Sequence, residues 1–567
     1  MKRTSRVLAI LLALAMLLSV TAFAAWDVYG GNDNHNSVVT SAPTSASPSV
    51  TSIDLSNSGR GWDGIDNVPV METVTENGED VTYAYVLYDG YSSYGGQLAK
   101  INCSAATPYV VWRKQVSASS GFQLSTPYLD TTNRAIYIGA SNASVYNNVA
   151  ISSPVALTAG TAGTVTIDGL SLLTAANRVS VPVYVGHTSV ADRGTLTTEG
   201  TATIRLGGGT PVNLTLSTTQ SSSGTTYKIY EQATYDATGT VNGYDYYYYI
   251  NHSVTASSLT DATLSISVTL NGTGSITSVS MFANKGAVTK VTGIDSTDAS
   301  GVTLTSVVSS VNGQINTPIT RYGDYIYFGT WSGNSAMPYY QVKVSDSSFT
   351  TKTMDGNAGF YWAGAVKLGN YIYFGGDSGN LYYRRASAFD KTGGNVALTE
   401  VASDAGNVRS TIMTDDTYLY FTSQGKYLWC YKPNAAGKPI YQWHIQLAGT
   451  STSTPTLVQN SDGTTSIYTG YYSGFSDGGV QVTTVSGSTQ TIATVASGFP
   501  VQCSILYSNG YVYFNTNASG GAGYCYNAAT GTQVWATTAD TYALGGMACD
   551  NGIIVFGNDY DHLYVVK

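Results

Sequence analysis

Charge is scarce in this chain of 567 residues: Asp, Glu, Lys and Arg make up 11% of it, with 26 Lys and Arg against 35 Asp and Glu. A net charge of −9 and the lack of any basic cluster that could follow a phosphate backbone speak against nucleic acid as a partner. Cysteine is sparse too. Cys103, Cys430, Cys503, Cys525 and Cys549 include neither a Cys-x-x-Cys nor an adjacent pair, so no zinc site or disulfide framework is signalled. Cys103, Cys430 and Cys525 occupy similar places in their surroundings and read as packed thiols, whereas Cys503 and Cys549 leave a mutual disulfide open. His35, His187, His252, His444 and His562 are scattered without ligand spacing and read as surface or turn residues. Asp559-Tyr560-Asp561 reads as a turn rather than a cation site. Gly-x-Ser-x-Gly, His-Glu-x-x-His and P-loop patterns are missing, and Glu400 is the one Glu after Glu231. These gaps exclude the common hydrolase and nucleotide-binding signatures, and no metal or catalytic residue is assigned.

Long apolar runs are missing as well, except at the start. Lys2, Arg3 and Arg6, the apolar run Val7 to Leu18 and Ala22-Phe23-Ala24 form a secretory signal peptide over residues 1–24, with cleavage expected after Ala24. Nothing later is apolar enough to span a bilayer as a helix. The expected location is therefore secreted or at the extracytoplasmic cell surface.

What the chain has in abundance is Gly (61) and Tyr (45), with much Ser and Thr, a composition suited to β structure. Gly510 to Trp535 reads as three strands and two turns, and its aromatic strand recurs. Aligning Ile326, Ile372, Leu419, Ile467, Val512 and Ile554 gives spacings of 46, 47, 48, 45 and 42 residues. A period in the forties with several strands per unit marks the blades of a β-propeller.

Within that pattern, Tyr524-Cys525-Tyr526-Asn527-Ala528-Ala529-Thr530-Gly531-Thr532-Gln533-Val534-Trp535 resembles the pyrroloquinoline-quinone (PQQ) repeat, with Cys525 and Asn527 standing where Ala and Asp are usual. Looser copies run from Tyr427 to Trp443 and from Gln97 to Trp112, and Trp26-Asp27-Val28-Tyr29-Gly30-Gly31-Asn32 is similar to the opening of such propellers. The resemblance to this quinoprotein-like family implies the fold. For its dehydrogenases it also implies PQQ over a calcium held by Glu, Asn and Asp, a catalytic Asp, a stacking Trp and often a vicinal disulfide. The chain lacks the adjacent cysteines and nearly all the Glu, which favours a non-catalytic relative.

Two further aromatic strands, around Val86 and Ile136, bring the blades to eight, with seven as the alternative. The final repeat stops at Lys567 one strand short, and Val50 to Leu55 is expected to supply that strand and close the ring. Between Ile136 and Ile326 the spacing of 190 exceeds one period, and the surplus holds long alternating Thr/Val strands. Residues 152–284 are read as an Ig-like or jelly-roll β-sandwich inserted in blade two, with Val288 to Val291 and Val302 to Val308 as that blade's returning strands. The propeller then spans 25–151 and 285–567.

Inner strands open onto the axis, and Gln123, Trp362, Arg409, Gln502 and Ser504 fall there. Trp362, Arg409 and Gln502 are the candidate ligand-binding residues, offering a stacking face, a charge and an amide. On the insertion, Tyr246 and Tyr248 within the run Tyr244 to Tyr249 are the second candidate surface. The expected function is an exported or cell-surface binding or scaffold protein for an extracellular protein or glycan, without a cofactor. A PQQ-dependent dehydrogenase using calcium and a glycan-processing enzyme are the alternatives.

Overall fold

The computed structural model describes residues 25–56, 64–89, 96–117, 123–144, 284–332, 336–354 and 356–567, and between 145 and 283 mainly the backbones of nine strands. The expected signal peptide lies outside the described residues. Eight four-stranded antiparallel sheets form an eight-bladed β-propeller. The first strands of blades one to eight begin at Val70, Tyr128, Thr320, Val366, Met413, Thr456, Leu506 and Ala548. Each leads by a tight turn into the aromatic second strand. Blade eight takes its fourth strand from the other end of the chain: Val50–Asp54 pairs antiparallel with His562–Val566, Val50 opposite Val566. Ring closure is as expected, and eight blades replace the alternative of seven.

The aromatic second strands explain themselves once the blades are face to face. Successive side chains of a strand point to opposite faces, and here both faces are covered, so no polar alternation survives. In Tyr325–Gly329, Ile326 and Phe328 pack on blade two with Tyr137 and Val288, while Tyr327 packs on blade four with Phe374 and Phe389. Tyr339 and Phe374 stack with ring centroids 3.8 Å apart. The core is thus a series of layers between blades.

The glycine that often ends this strand has a separate cause. A Cβ on Gly139, Gly375, Gly470 or Gly557 would lie 2.7, 2.2, 2.7 or 2.2 Å from Ile315, Val408, Val501 or Ile65, an apolar residue on the chain entering the next blade. The missing side chain lets that entering chain dock.

Blade two is interrupted as expected. Its strands are Tyr128–Asp130, Ala135–Ser144, Asn284–Thr292 and Thr303–Asn312, so the insertion leaves after the second and returns into the third. The nine inserted strands, from Asn147–Leu157 to Gly274–Met281, pair in one continuous order.

Residues 26–43 form a strap that visits the blades nearly in sequence. Backbone carbonyls of Trp26 and Asp27 accept from Met71 N (2.8 Å) and Leu129 N (2.7 Å), in blades one and two. Asp33 O accepts from the Tyr322 hydroxyl (3.0 Å) in blade three, and His35 Nε2 meets Ala365 O (2.8 Å) just ahead of the first strand of blade four. Asn34 O binds Thr414 N in blade five, Asn36 brackets Leu457 in blade six, Ser37 O takes Tyr507 N in blade seven, and Ser41 O accepts from Cys549 Sγ in blade eight. Trp535, the tryptophan of the repeat, donates Nε1 to Pro43 O at 2.9 Å.

Three readings from the sequence are revised or resolved here. His35 is fully buried, not at the surface, because both ring nitrogens meet strap and blade carbonyls, Tyr29 O and Ala365 O. Burial lowers its pKa, against the pull of those carbonyls. Cys503 and Cys549 are free thiols, each donating to a carbonyl (Asn515 O and Ser41 O), and all five cysteines are buried. Asn558 Oδ1 accepts from Tyr560 N and His562 N, so Asp559 to Asp561 form the hydrogen-bonded turn that was expected.

Candidate functional site

One position, four residues ahead of each blade's first strand, rings the axis: Asp66, Leu124, Asn316, Trp362, Arg409, Thr452, Gln502 and Leu544. Just before it, Ile65, Ile315, Val408 and Val501 are the apolar anchors seated on the glycines described above. Just after it comes a small or amide residue that ties neighbouring blades. Asn67 Nδ2 bonds both Leu87 O and Gln123 O at 2.7 Å, and Ser125 Oγ bonds Thr317 O at 2.8 Å. The axial side chain between these two fixtures is left to face the channel.

Blade four breaks the count. Its anchor against Gly329 is Phe360, six residues ahead of Val366, where the other four anchors stand five ahead. The extra residue is absorbed at Trp362, whose φ of 58° is costly for a bulky side chain. Most other non-glycine residues with positive φ, such as Asn77, Lys426 and Asn509, sit in tight turns between strands. Blade four thereby presents two rings, Tyr361 and Trp362, with centroids 4.7 Å apart.

A cavity of about 450 Å³ opens beside them. Its wall comes from chains entering first strands (Asp66, Tyr361, Trp362, Arg409, Gln502, Tyr542, Leu544) and from ends and turns after second strands (Gln424, Tyr472, Phe475, Asn517, Asp559). Both groups emerge on one face of the propeller. A smaller void of about 40 Å³ continues inward past Trp362, Arg409 and Gln502 to Tyr29, whose hydroxyl is 3.1 Å from Thr454 Oγ1. The strap thus floors the channel, and the cavity is blind.

Arg409 is fixed in place. Its Nε and one Nη donate to the two oxygens of Asp377 at 2.8 and 2.6 Å, and that carboxylate, with no exposed side-chain surface, also accepts from Trp331 Nε1 at 3.2 Å. The guanidinium lies 4.7 Å from the centre of the Tyr361 ring. Burial pulls the pKa of Arg409 down, but Asp377 outweighs it and the net shift is upward. The Tyr361 hydroxyl is pushed up to about 12, mainly by burial, with the charge of Asp66 adding and that of Arg409 opposing. Phe475, 63% exposed, meets Tyr542 edge to face at 5.8 Å on the rim.

Trp362, Arg409 and Gln502 therefore come together on one wall, as the sequence placed them. Gln123 and Ser504 do not line the larger cavity: the axial residue of blade two is Leu124, and Gln123 O is used by Asn67. Tyr246 and Tyr248 are elsewhere, on strand Val241–Ser253, which pairs on both edges; Tyr246 stands opposite Gly186 and Glu231, Tyr248 opposite Val183 and Ile229. Their side chains lie outside the described residues. Tyr361 and Asp377 were not anticipated. The signal for Tyr361 is the extra residue between Phe360 and Val366; the signal for Asp377 is its place five residues after Ile372, equivalent to Gln424, Tyr472, Asn517 and Asp559 in their blades.

Among the described residues no group of three or more His, Cys, Asp or Glu side chains is gathered as for a metal ion. The cavity wall carries Asp66 and Asp559 but no Glu. The Glu, Asn and Asp set that the repeat resemblance implies for a calcium-held quinone is therefore incomplete on the wall among the described residues. No helix among the described residues is long and apolar enough to cross a membrane.

No protein-family pattern matches the sequence, and no curated protein matches it. Among solved structures, the chain is similar to BamB from Moraxella catarrhalis, at 14% identity over 50% of this chain and 81% of that one, with a TM-score of 0.35. It is also similar to a europium-containing methanol dehydrogenase, at 7% identity over 95% and 90% of the two chains (TM-score 0.43), and to the WD40 β-propeller domain of Doa1, at 12% over 50% and 88% (TM-score 0.33).

Proposed function

We propose that this chain is an exported or cell-surface binding protein of the quinoprotein-like propeller type. It holds a protein or glycan ligand in the blind axial cavity, with the insertion, a β-sandwich bearing Tyr246 and Tyr248, as a second contact surface. The observation that carries the reading is Trp362. Strain of this kind persists where the surroundings impose it and clusters at ligand sites. Here it adds a ring to a wall of aromatic and amide side chains, and the cavity of about 450 Å³ is of small-ligand size. Asp377 supports the reading, since it holds Arg409 in one orientation before any ligand arrives.

The test replaces Trp362 by Gly, which suits the left-handed backbone while deleting the ring. Wild type, Trp362→Gly and a variant lacking the insertion would be applied to glycan and protein arrays. Loss of a specific signal in Trp362→Gly assigns it to the cavity, and loss in the deletion assigns it to the insertion; signals unchanged in both overturn the reading. Incubation with PQQ and calcium chloride, desalting and an absorbance scan tests the dehydrogenase alternative, which stoichiometric retention of quinone would establish in place of this one.

A further inference from the structure

We infer that the axial cavity takes the uncharged end of a saccharide chain, and that it discriminates against anionic sugars because its guanidinium is already neutralised. This deepens the binding reading above and rests on it. Among the described residues Arg409 is the one basic side chain on the wall, and both carboxylate oxygens of the buried Asp377 are engaged with it. An anionic ligand would have to compete with that bidentate pair for the guanidinium, while Asp66 and Asp559 add acidic groups to the same wall.

The remaining wall chemistry is that of an uncharged polyol. Tyr361, Trp362, Tyr472 and Tyr542 offer faces for the C–H surface of a pyranose. Gln424, Gln502 and Asn517 each present a donor and an acceptor, as every sugar hydroxyl does. Because Tyr29 and the strap close the inner end, a polymer cannot thread the axis. The cavity therefore reads a chain terminus and not an internal stretch.

The experiment is titration calorimetry of the mature protein against maltotriose, cellotriose, mannotriose and N-acetylchitotriose, with trigalacturonate and the glucosamine trimer as charged counterparts. Cyclic α-cyclodextrin serves as an end-free form of the maltotriose unit. The expected result is binding of at least one neutral trimer that weakens at least about tenfold in Trp362→Gly. The affinity should hardly change between about 0.05 and 0.5 M salt, since no net charge is exchanged. In Asp377→Asn, the freed guanidinium should admit trigalacturonate. Circular dichroism and the thermal midpoint of each variant separate a lost site from a lost fold. Binding restricted to a charged trimer, yet abolished by Trp362→Gly, overturns the inference and leaves the binding reading standing. Binding of α-cyclodextrin as tight as that of maltotriose overturns the end-recognition half. No binding across the panel overturns the inference as a whole, and the array comparison then decides the binding reading separately.

Discussion

Two positions in each blade behave oppositely. In the second strand the same kinds of residue return around the ring: Ile326 and Phe328, Ile372 and Phe374, Leu419 and Phe421, Val512 and Phe514, Ile554 and Phe556. Four residues ahead of the first strand, the ring reads Asp, Leu, Asn, Trp, Arg, Thr, Gln and Leu. The first position is fixed by packing, because each blade presents both faces to neighbours of the same shape. The second faces the channel, where no repeated packing layer chooses its residue, although Arg409 is held by Asp377 and Thr452 donates to Gln502 O. The variable position supplies Trp362 and the clamped Arg409 to a wall whose other rings, Tyr361, Tyr472, Phe475 and Tyr542, come from neighbouring segments.

The contrast can be broken most severely at the packing position. Gly375→Val should unfold the junction of blades four and five, since its Cβ would meet Val408 Cγ1 at 2.2 Å; failure to purify a cooperative, folded protein is the expected result. Phe374→Ala should lower stability by about 3–5 kcal/mol through the cavity left between Tyr339 and Tyr382, read from the denaturant midpoint. The strap offers a pH-dependent case. Burial raises Asp27 from 3.8 to about 6, so its folded state favours the proton: the associated stability is complete below about pH 4 and lost as pH rises through 6. Asp27→Asn should therefore gain about 1–3 kcal/mol over wild type at pH 8 and nothing at pH 4, in denaturant titrations at the two pH values. Trp535→Phe, which deletes the hydrogen bond to Pro43 O, should cost about 1 kcal/mol. At the axial position Trp362→Gly should shift stability by less than about 1 kcal/mol, because relief of the backbone offsets the lost ring contacts. Equal destabilisation by Trp362→Gly and Phe374→Ala would erase the distinction between the two positions.

The blades were legible because packing on two faces leaves a periodic residue pattern. Even the joining strand Val50–Asp54 could be found, from the missing partner of the last repeat. Trp362, Arg409 and Gln502 were legible for a related reason: they precede strands whose positions the period locates. What was hidden is what depends on contacts across the ring. His35 looks like any exposed histidine until Ala365 O, 330 residues away, is brought against it. Asp377 stands at a repeated place, five residues after Ile372 as Asp559 is after Ile554, but its partner Arg409 lies on the next blade. The segment from Ser37 to Pro48 reads as a plain connection, since its bonds are made by backbone groups that every residue possesses.

The strap also sets a schedule. Tyr29 bonds Thr454 across 425 residues, Ser41 meets Cys549 across 508, and Val50–Asp54 waits for the last strand of the chain. Each of these partners follows its strap residue by at least 425 residues. Trp26 and Asp27 can pair early with blades one and two, but Tyr29, Ser41 and Val50–Asp54 must wait, and the ring locks late, as one long-range event of high contact order. A chain in that waiting state is an open ring, with both the seam between blades eight and one and the floor of the axial cavity unformed. Competence to hold a ligand and completion of the fold would then arrive in the same step.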